Sequence, residues 1–146
     1  MYTFDGYTFR PATTEDQPLA RLWNLMDPDH TWERQFLDYW IQQNDRVNSY
    51  VLEDAIGIVF FVKAIRHGSH EVEIALQFDR SYRMVSKARA MRGMEAGFAW
   101  LKKALPRNGF KSLYFRSRSV ELIGFTEKRL GFVKDGTREI YSLKEA

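Results

Sequence analysis

At 146 residues the chain is sized for one domain with a real core, and 45% hydrophobic residues, with four Trp, seven Tyr and eleven Phe, supply it. The 22 Lys and Arg against 19 Asp and Glu leave +3, too little to argue for nucleic acid as a partner, and 28% charged residues mixed with so many aromatics argue against disorder. Cysteine is absent, which excludes disulfides, thiolate zinc ligands and a Cys nucleophile.

No basic stretch followed by an apolar one opens the chain, and the longest apolar run, Ile56–Val62, falls far short of a membrane span. A cytoplasmic protein with no membrane partner is the expectation. Tyr7–Ala12 reads as a first strand. Thr13 and Asp16 then form a near capping box, and Leu19, Leu22, Trp23 and Met26 share one face of a helix that ends at Asp27-Pro28-Asp29. A second helix is predicted from Thr31 to Gln43, with Trp32, Phe36, Tyr39 and Trp40 on one stripe. Those aromatics suit core packing or the wall of an acceptor pocket.

Ser49–Leu52 and Ala55–Ile65 predict two strands joined at Glu53-Asp54, the second apolar enough to be covered on both faces. Arg66–His70 is a turn into a strand over 70–79. Its alternation puts Glu71 and Glu73 on one face, opposite Val72 and Ile74. His67 and His70 lack a carboxylate or third His at suitable spacing, which argues against a metal. Residues 81–88 open a long helix with an apolar stripe at Met91, Met94, Phe98, Leu101 and Leu105, and Gly93 and Gly97 beside Ala90 let that face approach a strand closely. Pro106 to Gly109 stops it. Phe110–Arg116 predicts a strand, Val120–Arg129 a short helix, and Gly131–Leu143 a hairpin turning at Lys134–Gly136. Strands and helices mix, so the fold class is α/β (α+β) in a single domain, residues 1–146, around one central sheet.

Strand 70–79, the basic loop and the following helix N-terminus together make a place to hold a phosphate, because amides there lack partners and the helix dipole favours an anion. Arg80, Arg83, Lys87, Arg89 and Arg92 are either a collar for such phosphates or a solvated helix face. Arg107, Lys111, Arg116 and Arg118, interleaved with Tyr114 and Phe115, keep open a surface for nucleic acid or an acidic partner.

Arg83-Met-Val-Ser86-Lys-Ala88 after Tyr82, the ending Leu130-Gly131-Phe132, and the opening Phe9-Arg10-Pro11-Ala12-Thr13 resemble the signature loop, ending and opening of the GNAT N-acetyltransferase superfamily. The resemblance spans about residues 7–143. It implies a mixed, mostly antiparallel sheet flanked by helices, and an acetyl group passed from acetyl-CoA to a primary amine on a small molecule or protein. By the same resemblance, backbone groups near Gln77 and Phe78 would hold the pantetheine arm, amides from Met84 through Val85, Ser86 and Lys87 to Ala88 the pyrophosphate, with Arg83 opening the loop, and Glu73 would be the general base. As a plain strand residue Glu73 would instead face solvent. Ser86 stands at the family's central loop glycine. Glu127 stands at its usual general-acid tyrosine, counted four residues before Gly131. These departures motivate a second expectation: a GNAT-fold structural or interaction protein without catalysis, for which virus-borne and other divergent relatives of the fold are natural candidates. Edge strands in such a sheet often pair between subunits, which keeps a homodimer open.

Overall fold

The computed structural model describes residues 1–27 and 41–143. Over these, strands β1 (Tyr2–Phe4), β2 (Tyr7–Pro11), β3 (Val47–Glu53), β4 (Ile58–His67), β5 (Glu71–Phe78), β6 (Ser112–Phe115), β7 (Val133–Asp135) and β8 (Arg138–Ser142) form one sheet in the order β1-β2-β3-β4-β5-β6-β8-β7. A 3-10 turn at Thr14–Asp16 leads into helix α1 (Gln17–Met26). Helix α2 (Lys87–Arg107) crosses from β5 to β6, and α3 (Val120–Phe125) runs into a π-turn at Thr126–Leu130. No helix among the described residues is long and apolar enough to cross a membrane.

The middle of the sheet is apolar because both of its faces are covered. Val51, Leu52, Val59 and Phe61 are fully buried; Trp23 of α1 meets Phe61 edge-on, with centroids 5.4 Å apart, on one side. On the other side α2 lies close. Phe60 pairs with Leu52 and Ile58 with Glu53, so Val59 bulges out of register, and a Cβ on Gly93 would meet Val59 at 3.0 Å and Leu52 and Phe60 at 3.2 Å. Gly97, expected to share that role, has nothing within 4 Å of its Cβ position. The start of α1 is pinned by Arg10, whose guanidinium grips both oxygens of Asp16 at 2.9 Å and reaches Glu53 at 2.8 Å. That grip, first, holds the Asp16 carboxyl below the usual range.

Strand β1 was not predicted. Its signal was Asp5-Gly6, both at positive φ (49° and 83°), the backbone of a tight hairpin turn between Phe4 and its register partner Tyr7. The predicted helix over 31–43 lies outside the described residues as far as 40. Ile41 to Gln43 are not helical, and Gln43 bridges antiparallel to Asn48. Helix α2 starts at Lys87 rather than Ser81, because Asp79 winds the chain into a loop first.

Every neighbouring pair in the sheet is antiparallel except β5 with β6. That parallel pair holds for Glu71–Ser112, Val72–Leu113 and Glu73–Tyr114 only. Beyond it β5 runs on to Phe78 and β6 stops at Phe115, and the sheet opens.

Candidate active site

The opening exposes one edge of β5. The His70 carbonyl accepts from the Ser112 amide, so residues of that parity turn their backbone groups toward β6. Ile74, Leu76 and Phe78 therefore present theirs at the opening, while Gln77 turns its own toward β4. A cleft of about 1090 Å³ passes through the gap and is lined from both faces: by Met94, Phe98 and Thr126 on one, by Glu73, Tyr114 and Arg116 on the other.

Glu73 sits where the strands part. Its Oε1 is 2.8 Å from His67 Nε2 and accepts from the Tyr114 hydroxyl at 3.2 Å, and its Oε2 faces Arg116 at 3.4 Å. Burial, then the charge of Glu73, pushes the Tyr114 phenol up. Glu71 lies on the same face and takes Arg138 at 3.1 Å and Ser112 at 3.2 Å. The pair is partly buried and engaged, unlike two freely solvated carboxylates. Gln77 is fully buried: its amide oxygen accepts from Asn24 at 2.9 Å, and its nitrogen donates to Asp27 at 3.2 Å and the Trp23 carbonyl at 3.3 Å. Its side chain thus fastens β5 to α1.

The loop after β5 is organised by Asp79, which is 1% exposed. One carboxylate oxygen accepts from the Ser81 amide at 3.0 Å and from the Ser81 hydroxyl; the other accepts from the amides of Met84 (2.6 Å) and Val85 (3.2 Å). Burial works to raise this carboxyl, yet the bonds from Ser81, Met84 and Val85 together carry it below the usual range. They also hold Tyr82 at φ 57°, a left-handed conformation rare for a bulky residue.

Two of the amides expected to face a diphosphate are therefore turned inward. The amides of Ser86, Lys87 and Ala88 donate to no group among the described residues, as befits the first turn of α2. The Ser86 hydroxyl is committed as the N-cap, accepting from Arg89 N at 3.2 Å.

The five cations divide. Arg89 grips Asp54 in the β3–β4 turn at 2.8 and 2.9 Å, Arg80 meets Asp27 at 3.2 Å, and Lys87 pairs with Glu121 at the start of α3. Arg83 and Arg92 are exposed and have no ion pair among the described residues.

The sequence matches no protein-family model and no curated protein. Among solved structures, the chain is similar to the ribosomal-protein-S18-alanine N-acetyltransferase from Escherichia coli (TM-score 0.68, 17% identity, 96% of each chain covered). It is similar also to spermidine N-acetyltransferase from Vibrio cholerae in complex with CoA and spermine (TM-score 0.66, 15% identity, 96% of this chain and 97% of that one). A GNAT-family acetyltransferase from Staphylococcus aureus Mu50 gives TM-score 0.65 at 12% identity, over 94% of this chain and 99% of that one. The chain has the GNAT fold.

Within that fold the late helix departs from a sequence count. Four residues before Gly131 is Glu127, but the π-turn places five residues, Thr126–Leu130, in the turn, and the amides of both Gly131 and Phe132 donate to the Thr126 carbonyl. Thr126 is buried and lines the cleft, its hydroxyl donating to the Ile123 carbonyl at 2.9 Å. Glu127 is exposed and meets the buried Glu139 instead; burial first, then Glu127, pushes the Glu139 carboxyl up. Ser119 caps α3 by accepting from Leu122 N at 3.2 Å. Sequence reading missed Asp79, His67 and Thr126. An Asp directly before a turn was the available signal for the first.

Proposed function

We propose that the chain is an acyl-CoA-dependent N-acyltransferase that moves an acetyl group to a primary amine. The observation that carries this reading is the parting of β5 and β6 beyond Glu73–Tyr114, with a cleft running through the gap. Neighbours of the same fold named for acetylating ribosomal-protein-S18 alanine and spermidine, one of them holding CoA, support it.

The residues present suit the co-substrate. The open edge of β5 at Leu76 and Phe78 can exchange hydrogen bonds with the amides of a pantetheine arm. Amides of Ser86, Lys87 and Ala88 converge at the start of α2, where the helix dipole favours a diphosphate. Arg83 can add a charge-assisted bond. Met84 and Val85 serve indirectly, holding the loop in shape through Asp79. Acetyl-CoA supplies the thioester. The amine nitrogen bonds to its carbonyl carbon, the carbon–sulfur bond breaks, and the products are the N-acetyl amine and the CoA thiol. Glu73 takes the proton leaving the nitrogen and returns it to solvent, the departing thiolate takes one from solvent, and His67 and Tyr114 hold the Glu73 carboxylate in place.

Calorimetric titration of the purified chain with acetyl-CoA should show saturable binding, and added primary amines should release free thiol. Absence of binding at millimolar acetyl-CoA overturns the reading. A second reading, a GNAT-fold scaffold without catalysis, is favoured by the Asp79 carboxylate in the loop and by Thr126, whose hydroxyl is committed to the Ile123 carbonyl, at the turn that lines the cleft. Binding without thiol release from any amine would support it.

A further inference from the structure

We infer that the acceptor amine carries an anionic group, a carboxylate or phosphate, which Arg116 and Arg118 receive while Glu73 takes the amine end. This rests on the acyltransferase reading and names its substrate class.

The charged lining of the cleft, among the described residues, is Lys63, Arg80, Arg116 and Arg118 against Asp27 and Glu73. Both acids are already engaged by neighbouring side chains. Asp27 is 1% exposed and accepts from Gln77 and Arg80, and Glu73 faces His67, Tyr114 and Arg116. The cations that reach solvent are another matter. The Arg116 side chain is 54% exposed, and its one ion-pair partner among the described residues is Glu73 at 3.4 Å. It lies over the Tyr114 ring, 5.3 Å from the centroid, which restricts its motion while leaving guanidinium donors directed elsewhere. Arg118 is exposed and has no ion pair or hydrogen bond among the described residues.

Arg138 lies against the same ring at 4.7 Å, its own charge met by Glu71 and Asp135. A planar fork with spare donors suits the paired oxygens of a carboxylate or phosphate. A polycationic acceptor would have to bring its second charge against these arginines, and like charges facing each other disfavour the complex. A positive mouth also concentrates anions, which makes the effect sensitive to salt.

The test compares acceptors of similar size with the purified full chain and acetyl-CoA, following thiol release: β-alanine (carboxylate), phosphoethanolamine (phosphate), ethanolamine (neutral) and spermidine (polycation). At least one anionic amine should exceed ethanolamine tenfold or more in kcat/KM, the better of the two identifying the anion. Raising the salt to 0.5 M should shrink that ratio, and Arg116→Gln with Arg118→Gln should bring it to within about threefold, through KM. Equal rates for anionic and neutral amines, a preference for spermidine, or an unchanged ratio in the double variant would overturn the inference. Were the chain to bind no acetyl-CoA, the acyltransferase reading would fall and direct titration with the same amines would decide. Tighter binding of an anionic amine than of ethanolamine, lost in the double variant, would sustain the inference; equal or spermidine-favouring affinities would overturn it.

Discussion

Replacing Asp79 by Asn tests whether one buried carboxylate shapes the loop between β5 and α2. The side chain keeps its size, but a nitrogen with two hydrogens takes the place of one acceptor oxygen. In the arrangement that keeps the Ser81 bonds, the amides of Met84 and Val85 lose theirs. Met84 is exposed, so water replaces much of its loss; Val85 is 3% exposed, so its amide is orphaned. An orphaned buried amide costs about 1–3 kcal/mol, and the surviving bonds lose their charge assistance, so the total comes to roughly 2–4 kcal/mol. That is a large share of a typical stability of about 5–15 kcal/mol, readable by urea unfolding at pH 7.

The pH dependence supplies a second check. The native carboxyl lies below its ordinary value near 4, so the stability it contributes is complete above that value and is lost as pH falls through the lower native one. Asparagine has no such proton to gain, so the gap between wild type and variant should narrow below about pH 4. A gap under 1 kcal/mol at pH 7, or one that stays constant down to pH 3, would refute the reasoning.

Ser86→Gly should cost only a few tenths of a kcal/mol, because glycine is a tolerable N-cap, and should bind acetyl-CoA at least as tightly; weaker binding by calorimetry would make the Ser86 hydroxyl a direct participant. Gly93→Ala should fall below Gly97→Ala in stability by about 1–3 kcal/mol, since both share the helix-propensity gain of up to about 1 kcal/mol but only the methyl at 93 meets Val59 at 3.0 Å, a contrast read from paired thermal melts. Arg89, ahead of the turn amides, holds the Asp54 carboxyl at about 2, so the stability it lends is complete above pH 4 and is lost as pH falls toward 2. In Arg89→Gln the Asp54 resonance should titrate closer to 4, and a midpoint still near 2 would remove Arg89 as the cause. Thr126→Tyr should raise kcat at least tenfold by placing a phenol in the cleft, whereas Glu127→Tyr should not; general acids contribute about 10²–10⁴. The reverse ranking would return the acid to the position counted from Gly131.

The strand–loop–helix unit from Glu71 to Leu105 was legible because its signals are local and periodic: alternation in β5 and a clean apolar stripe along α2. The same alternation placed Glu71 and Glu73 on one face, as the structure has them. The neighbours of Glu73 were not legible. His67 reaches it across the β4–β5 hairpin and Tyr114 through the short parallel pairing, and neither register is written in the residues themselves. The cationic run illustrates a different limit. Sequence spacing gathered Arg80, Arg83, Lys87, Arg89 and Arg92, but acids at positions 27, 54 and 121, remote in the chain, draw three of them away. The π-turn was invisible because one extra residue in a single turn leaves no periodic trace.

The Asp79 carboxylate bears on both readings of function through the same physics. A loop whose amides are held by an internal anion is set before any ligand arrives, which spares the ordering cost of binding. On the acyltransferase reading the same bonds withdraw Met84 and Val85 from a diphosphate, which the first turn of α2 and the Arg83 side chain would then hold. Fewer donors on a prearranged loop make for a site that binds more weakly than a fully open one but without reorganisation. Affinity for acetyl-CoA should therefore fall, not rise, when Asp79 is replaced, even though its replacement frees amides: the freed groups gain donors for the ligand only at the expense of the loop that aims the others.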